Sequence, residues 1–137
     1  MYEQRLAGVL AAWNEGDLDG LDAVCSESVV RRTHQATGGD SSDLDGLKAE
    51  IASFRETFPD AHVEVTEFIE AGNRAFARWT FTGTNTGPGD FPPTGKAVTV
   101  HGSTLTTYED GKLAEELVYF DGLSMMAQLG IIELPEG

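Results

Sequence analysis

Two side chains in the second half of the chain have the types that proton transfer at a carbonyl compound requires. Glu116 lies in the β-rich run Leu113 to Phe120, where a fixed carboxylate can act as a general base. Arg78 lies mid-strand among Ala75, Ala77, Trp79 and Phe81, where a guanidinium can clamp a carboxylate or enolate oxygen. Each has a plainer reading. Glutamate is rarely buried, so a solvated rim is the favoured reading of Glu116. Strand alternation equally turns Arg78 outward into an ion pair. Asp121 precedes a helix-compatible run that stops at Gly130, and its default role is an N-cap. Thr80, Thr82, Thr104 and Thr106 can hydrogen-bond a polar ligand, but threonine is also a common strand former. Trp13 and Trp79 suit pocket walls and ordinary core alike. His34 and His101 stand isolated, so no metal site is expected. The single Cys25 excludes an internal disulfide and reads as a small buried hydrophobe.

The elements that must position these groups follow from periodicity. Leu6, Val9, Leu10 and Trp13 recur at helical spacing and predict a first helix from Tyr2 to about Asn14. Gly16 suits its C-terminus, and Asp17 can cap a short second helix, Leu18 to Cys25. Val29 to Gln35 reads as a strand. There Arg31 and Arg32 point to opposite faces, so at most one can enter a cavity. Ala36 to Ser42 is a loop, and Asp43 to Thr57 is a third helix that Pro59 ends. Strands follow at His62 to Ala71 and Arg74 to Thr84, then a Gly- and Pro-rich loop from Asn85 to Gly95. Ala97 to Tyr108 and Leu113 to Phe120 close a meander around Asp110-Gly111. This order predicts one α+β domain spanning the chain: a curved mixed or antiparallel sheet wrapped around N-terminal helices, a cone enclosing an apolar pocket.

Composition narrows the function. A chain of 137 residues with 40% hydrophobic content suits one packed domain. Leu6 to Trp13 is too short to cross a bilayer and lacks a basic leader, so no membrane partner is expected and the cytoplasm is the expected location. With 23 acidic and 9 basic residues, the net charge of −14 disfavours nucleic acid. The carboxylates are spread along the chain, not gathered in a tail. Two origins fit this surface: a high-salt cytoplasm, where screening relieves self-repulsion, or an ordinary acidic bacterial protein. Melting against potassium chloride separates them.

Several words occur in a telling order. Trp13-Asn14-Glu15-Gly16-Asp17-Leu18-Asp19 follows the first helix, and Thr57-Phe58-Pro59-Asp60 follows the third. Then come Gly83-Thr84-Asn85-Thr86-Gly87, Pro93-Thr94-Gly95, Asp110-Gly111-Lys112 and Gln128-Leu129-Gly130. Together they resemble the SnoaL-like polyketide cyclases of the nuclear transport factor two-like superfamily, over nearly the whole chain. The resemblance implies a cone with a ligand pocket and intramolecular aldol chemistry that needs no metal or organic cofactor. It also implies departures. The acid/base Asp of those cyclases falls at Val118, the His of the partner strand at Thr104, and a neighbouring Gln at Gly102. Many relatives carry His where Asn85 stands. The limonene-epoxide-hydrolase branch likewise has its Asp at Val118, and its Arg-x-Asp pair best resembles Arg78-Trp79-Thr80, which keeps only the Arg.

Hairpin parity then decides which side chains share the pocket face. A three-residue loop, Glu109-Asp110-Gly111, pairs Tyr108 with Lys112 and sets Val118 opposite Gly102 and Glu116 opposite Thr104. The family comparison makes that face, with Phe120, the pocket face. A two-residue Asp110-Gly111 turn instead pairs Val100 with Asp121 and brings Tyr119 and Asp121 inward. The first register is preferred. The expected site is therefore Glu116 as base and Arg78 as electrostatic partner, with Trp13, Thr80, Gly102, Thr104, Val118 and Phe120 lining a pocket for a small apolar organic ligand. The reaction expected is of the cyclase or isomerase type; a non-catalytic binding module is the alternative. The outer face carries Leu105, Leu117 and Tyr119, so a homodimer is expected through it.

Overall fold

The helical stripe of Leu6, Val9, Leu10 and Trp13 forms the inner face of α1 (Glu3–Glu15). Val9 is buried and Leu6, Leu10 and Trp13 are partly so, and all four border a cavity. The helix ends at Gly16 in the left-handed region, where the N–H groups of Gly16 and Asp17 reach the carbonyls of Ala12 and Ala11. Asn14 bonds Val63 in both directions, donating to its carbonyl at 3.0 Å and accepting from its N–H at 2.6 Å. Arg55 Nη1 donates to the Trp13 carbonyl at 2.6 Å. The Trp-Asn-Glu-Gly-Asp word thus pins α1 to the elements that follow.

The computed structural model describes residues 2–35, 39–90 and 92–135. After α1 come α2 (Leu21–Val24), β1 (Cys25–Arg32), α3 (Leu44–Thr57), β2 (His62–Ala71), β3 (Arg74–Thr84), β4 (Ala97–Glu109), β5 (Lys112–Phe120) and α4 (Gly122–Gln128). The sheet order is β1-β5-β4-β3-β2. β1 runs parallel to β5, and the other neighbours are antiparallel. Extra residues at Thr66 in β2 and Ala114 in β5 interrupt the ladders, and such bulges bend a sheet. The curved, unclosed sheet and its helices make the cone. No helix among the described residues is long and apolar enough to cross a membrane.

The first strand starts earlier than its sequence suggests. β1 begins at Cys25, which pairs with Leu113, and a break in register follows before Val30. The second helix correspondingly shrinks to Leu21–Val24, and Asp17 caps the turn before it by accepting from the Gly20 N–H at 3.1 Å. β1 also stops before Gln35. His34 takes a φ of 55°, and the Thr33 N–H leaves the ladder for the Asp40 carboxylate at 2.8 Å. In the loop expected over residues 36–42, positions 36–38 lie outside the described residues, as does Phe91 in the loop from Asn85 to Gly95. Asp43 caps α3 through the Gly46 N–H at 2.7 Å.

The β4–β5 hairpin corrects the expected loop and register while keeping the expected face. Asp110 and Gly111 both have positive φ, 52° and 78°, and form a two-residue turn with Glu109 opposite Lys112. Alone, that turn would send Glu116 and Val118 outward. The Ala114 bulge inserts one residue and turns the strand over again, so Thr106 faces Glu116 and Thr104 faces Val118. Leu113, Glu116 and Val118 are accordingly buried while Tyr119 is exposed.

Candidate functional site

Two clusters of buried side chains flank an internal space. One gathers Leu21, Val29, Leu47, Ile51 and Leu113; the other gathers Phe58, Phe81, Val98, Val100 and Leu129. Between them lies a cavity of about 290 Å³. Its walls are aromatic and aliphatic: Trp13 from α1, Phe54 from α3, Phe68 from β2, Trp79 from β3 and Phe120 from β5, with Met125 and Met126 of α4 at one end. The Trp79 indole donates to Thr104 Oγ1 at 2.9 Å, and Thr106 Oγ1 donates to the Ala75 carbonyl at 3.1 Å. Both threonine hydroxyls on this wall therefore have protein partners. Tyr108 also borders the cavity, stacked on Tyr2 with ring centroids 3.9 Å apart.

Glu116 is a buried carboxylate on this cavity wall. It is 7% exposed, borders the cavity, and its Oε1 has no hydrogen-bond partner. Burial pushes its carboxyl above the ordinary value of 4.5, opposed by the positive charge of Arg31. The same burial, together with the nearby Glu116 charge, pushes the Cys25 thiol up to about 12, so the thiol is inert at neutral pH. Tyr108 is raised by burial and, to a lesser extent, by Glu116, so its phenol stays neutral and available to donate. Glu50 of α3 and Asp90 of the 85–95 loop are the other carboxylates on the cavity wall.

Arg31 supplies the cavity's positive charge. It sits beside Glu116 in the parallel β1–β5 register and borders the cavity. Its Nη1 donates to the Gly39 carbonyl at 2.7 Å, and its guanidinium carbon lies 5.4 Å from the centre of the Trp13 ring. Of the two adjacent arginines, Arg31 points inward, while Arg32 bonds to Ser41 and Ser42.

The expected site residues divide cleanly. Glu116, Trp13, Thr104, Val118 and Phe120 come together on the cavity wall. Arg78 does not. It is exposed on the opposite face of β3, 3.5 Å from Glu67, because Ala77, Trp79 and Phe81 take the inward positions. Thr80 shares that outward parity and meets His101 Nδ1 at 3.1 Å. Gly102 has inward parity but lies under Trp79: a Cβ there would sit 2.5 Å from the indole ring. Its missing side chain lets Trp79 cover the sheet instead of opening the pocket. Asp121 accepts from the Ser124 N–H at 2.9 Å and caps α4, outside the chamber. Tyr119 is also outside, stacked against His34. Asn85 holds its loop together, accepting from Thr94 N–H and Oγ1 and donating to the Thr57 carbonyl. Sequence reasoning does not single out Tyr108 as a cavity group, although its position in β4 has the parity of Thr104 and Thr106. The sequence does not decide which face Arg31 takes, because nothing local fixes the parity of a parallel edge strand.

With this geometry in place, the chain can be set beside known proteins. The family described as SnoaL-like polyketide cyclase matches residues 4–129. TsrD from Streptomyces laurentii is similar in structure, with a TM-score of 0.83, 28% identity and 95% of each chain covered. A candidate polyketide cyclase from Bacillus cereus has a TM-score of 0.78 and 26% identity, covering 93% of this chain and 79% of its own. AclR from Streptomyces galilaeus, a candidate hydroxylase, has a TM-score of 0.79 and 26% identity, covering 99% of this chain and 87% of its own. Comparison with curated proteins gives no match. The candidate activities named for these neighbours differ, so the reaction must be argued from the site.

Proposed function

Because the chain belongs to the SnoaL-like polyketide cyclase family, we propose that its cavity binds a small, largely apolar carbonyl compound and that Glu116 moves a proton at the carbon next to the carbonyl. The observation that carries this reading is the unpartnered Glu116 oxygen inside an aromatic chamber. A carboxylate raised by burial is a better base toward a weak carbon acid than a solvated one, and its carboxylic acid form can return the proton at another atom. That is the proton bookkeeping of an aldol cyclisation or a double-bond isomerisation, with no organic cofactor in the step. Val118, where the family's cyclases carry their acid, leaves the neighbouring inward position of β5 to supply the carboxylate.

A test uses 2-tetralone, a bicyclic ketone of suitable size, in deuterated buffer. Exchange at its α carbons is followed by proton NMR. Wild-type protein should accelerate exchange, and Glu116→Gln should lose about 10²- to 10⁴-fold of that acceleration. Equal exchange by both proteins would reject Glu116 as the base. The valine at 118 favours a second reading, a binding module without catalysis. Saturable tetralone binding with no accelerated exchange would select it.

The outer face of the sheet supports a second copy of this chain as the partner. Ile69, Phe76, Leu105 and Leu117 are cross-strand neighbours in one row, and Tyr119 stands exposed beside it. An apolar row across one sheet face is what a face-to-face homodimer would cover. The cytoplasm remains the proposed location.

A further inference from the structure

We propose that Arg31, and not an arginine on β3, receives the substrate's carbonyl oxygen, so that Arg31 and Glu116 form an oxyanion-and-base pair on the cavity wall. This rests on the proposed role of Glu116 and adds the group that makes such a step feasible. The observation is a pair that should bond and does not. Arg31 and Glu116 are register neighbours on parallel strands, both border the cavity, and no ion pair joins them among the described residues. The Gly39 carbonyl draws Nη1 aside at 2.7 Å, and the guanidinium carbon lies over the Trp13 ring, 5.4 Å from its centre. Nε and Nη2 have no protein acceptor among the described residues, and Glu116 Oε1 has no donor. Two adjacent groups with open hydrogen-bonding capacity, one donating and one able to take a proton, fit a carbonyl and its neighbouring C–H bond.

In the step, Glu116 takes the α proton. The C–H electron pair becomes the carbon–carbon π bond, and the carbonyl π pair moves onto oxygen. Arg31 faces that oxygen with N–H groups that are already fixed, so the new charge needs no solvent rearrangement. The proton then leaves Glu116 for carbon or for the oxygen. The other titratable groups bordering this space are Tyr108 from β4, Glu50 from α3 and Asp90 from the 85–95 loop, with Cys25 of β1 buried nearby. None of them carries positive charge, so Arg31 is the one cation there among the described residues. This narrows the ligand class to compounds whose reacting oxygen becomes anionic, such as enolisable ketones, and gives no reason to favour hydrocarbons.

The test uses 2-naphthol, the aromatic counterpart of the tetralone enol, whose ionised form has its own absorption band. It is titrated while bound to Glu116→Gln, so that Glu116 cannot compete for the charge. With Arg31 present, bound naphthol should ionise about one to three pH units below free naphthol. In Glu116→Gln/Arg31→Met that lowering should vanish, and in Glu116→Gln/Arg31→Lys, which keeps the charge without the fork, part of it should remain. Circular dichroism confirms that each variant is folded, and the lysine variant carries the test should the methionine variant fail to fold. Ionisation unchanged by either substitution, or no saturable binding of naphthol, overturns the assignment. Loss of exchange in Glu116→Gln with an Arg31-independent naphthol titration would leave the base in place and remove only its partner.

Discussion

Glu116→Met should make this protein more stable at neutral pH. Methionine matches glutamate in length and fills the same place among apolar walls without a polar atom that needs a partner. Glu116 Oε1 is buried and unbonded. A polar group left in that state costs about 1–3 kcal/mol, and an apolar replacement of similar shape recovers it. At roughly 4 °C per kcal/mol for a domain of this size, Tm should rise by about 4–12 °C. The sign of the pH dependence follows from the raised Glu116 carboxyl. At pH below 4.5, both folded and unfolded wild-type chains carry the proton. As pH rises above that value, the unfolded chain ionises first, while the folded one resists, and wild type loses stability relative to methionine. The gap in Tm should therefore be smallest near the low end and widen toward neutrality. Calorimetric melts of both proteins across this range measure it. A methionine variant that melts below wild type throughout, or a gap that does not change with pH, would refute the reasoning. A residue that weakens the fold where it stands, and whose loss stabilises it, has the profile of one kept for function.

Two further outcomes test the surroundings. Asp121→Ala should lower stability by about 1 kcal/mol through loss of the α4 cap, measured by denaturant melts, with tetralone exchange unchanged because the carboxylate lies outside the chamber. Leu117→Arg places a charge at the β5 end of the outer apolar row, and light scattering should report a dimer for wild type and a monomer for the variant. A wild-type monomer at micromolar concentration would contradict the dimer.

Much of the cone can be read from local pattern. β2 and β3 have the bounds expected from their apolar alternation around Gly72-Asn73, because a hairpin of neighbouring strands depends on nothing distant. Asp121 caps the last helix as expected, while Asp43, expected as the first residue of the third helix, is its cap. The cavity face of β5 was also legible, but through a different route. The two-residue turn and the Ala114 bulge each reverse parity, and together they restore it. Nothing in Leu-Ala-Glu-Glu marks alanine as the extra residue, since a bulge is chosen by how the sheet must bend. Arg78 and Thr80 failed for a simpler reason. In Arg-Trp-Thr-Phe both parities offer a plausible inner face, and the larger aromatic rings took it. Arg31 needed knowledge of β1 pairing with β5, a contact between distant parts of the chain that periodicity does not carry.

The chemistry proposed for this cavity depends on the state of a single carboxyl group, and carbon-13 NMR observes that group directly. Side-chain carboxyl carbons of glutamate are labelled and followed from acid to alkaline pH, with Glu116→Gln identifying the resonance by its absence. The expected result is one glutamate carbon that titrates clearly above the ordinary 4.5 and moves higher still in Arg31→Met, because the lowering charge has been removed. If the Glu116 carbon titrates with the solvent-exposed glutamates, the buried base does not exist.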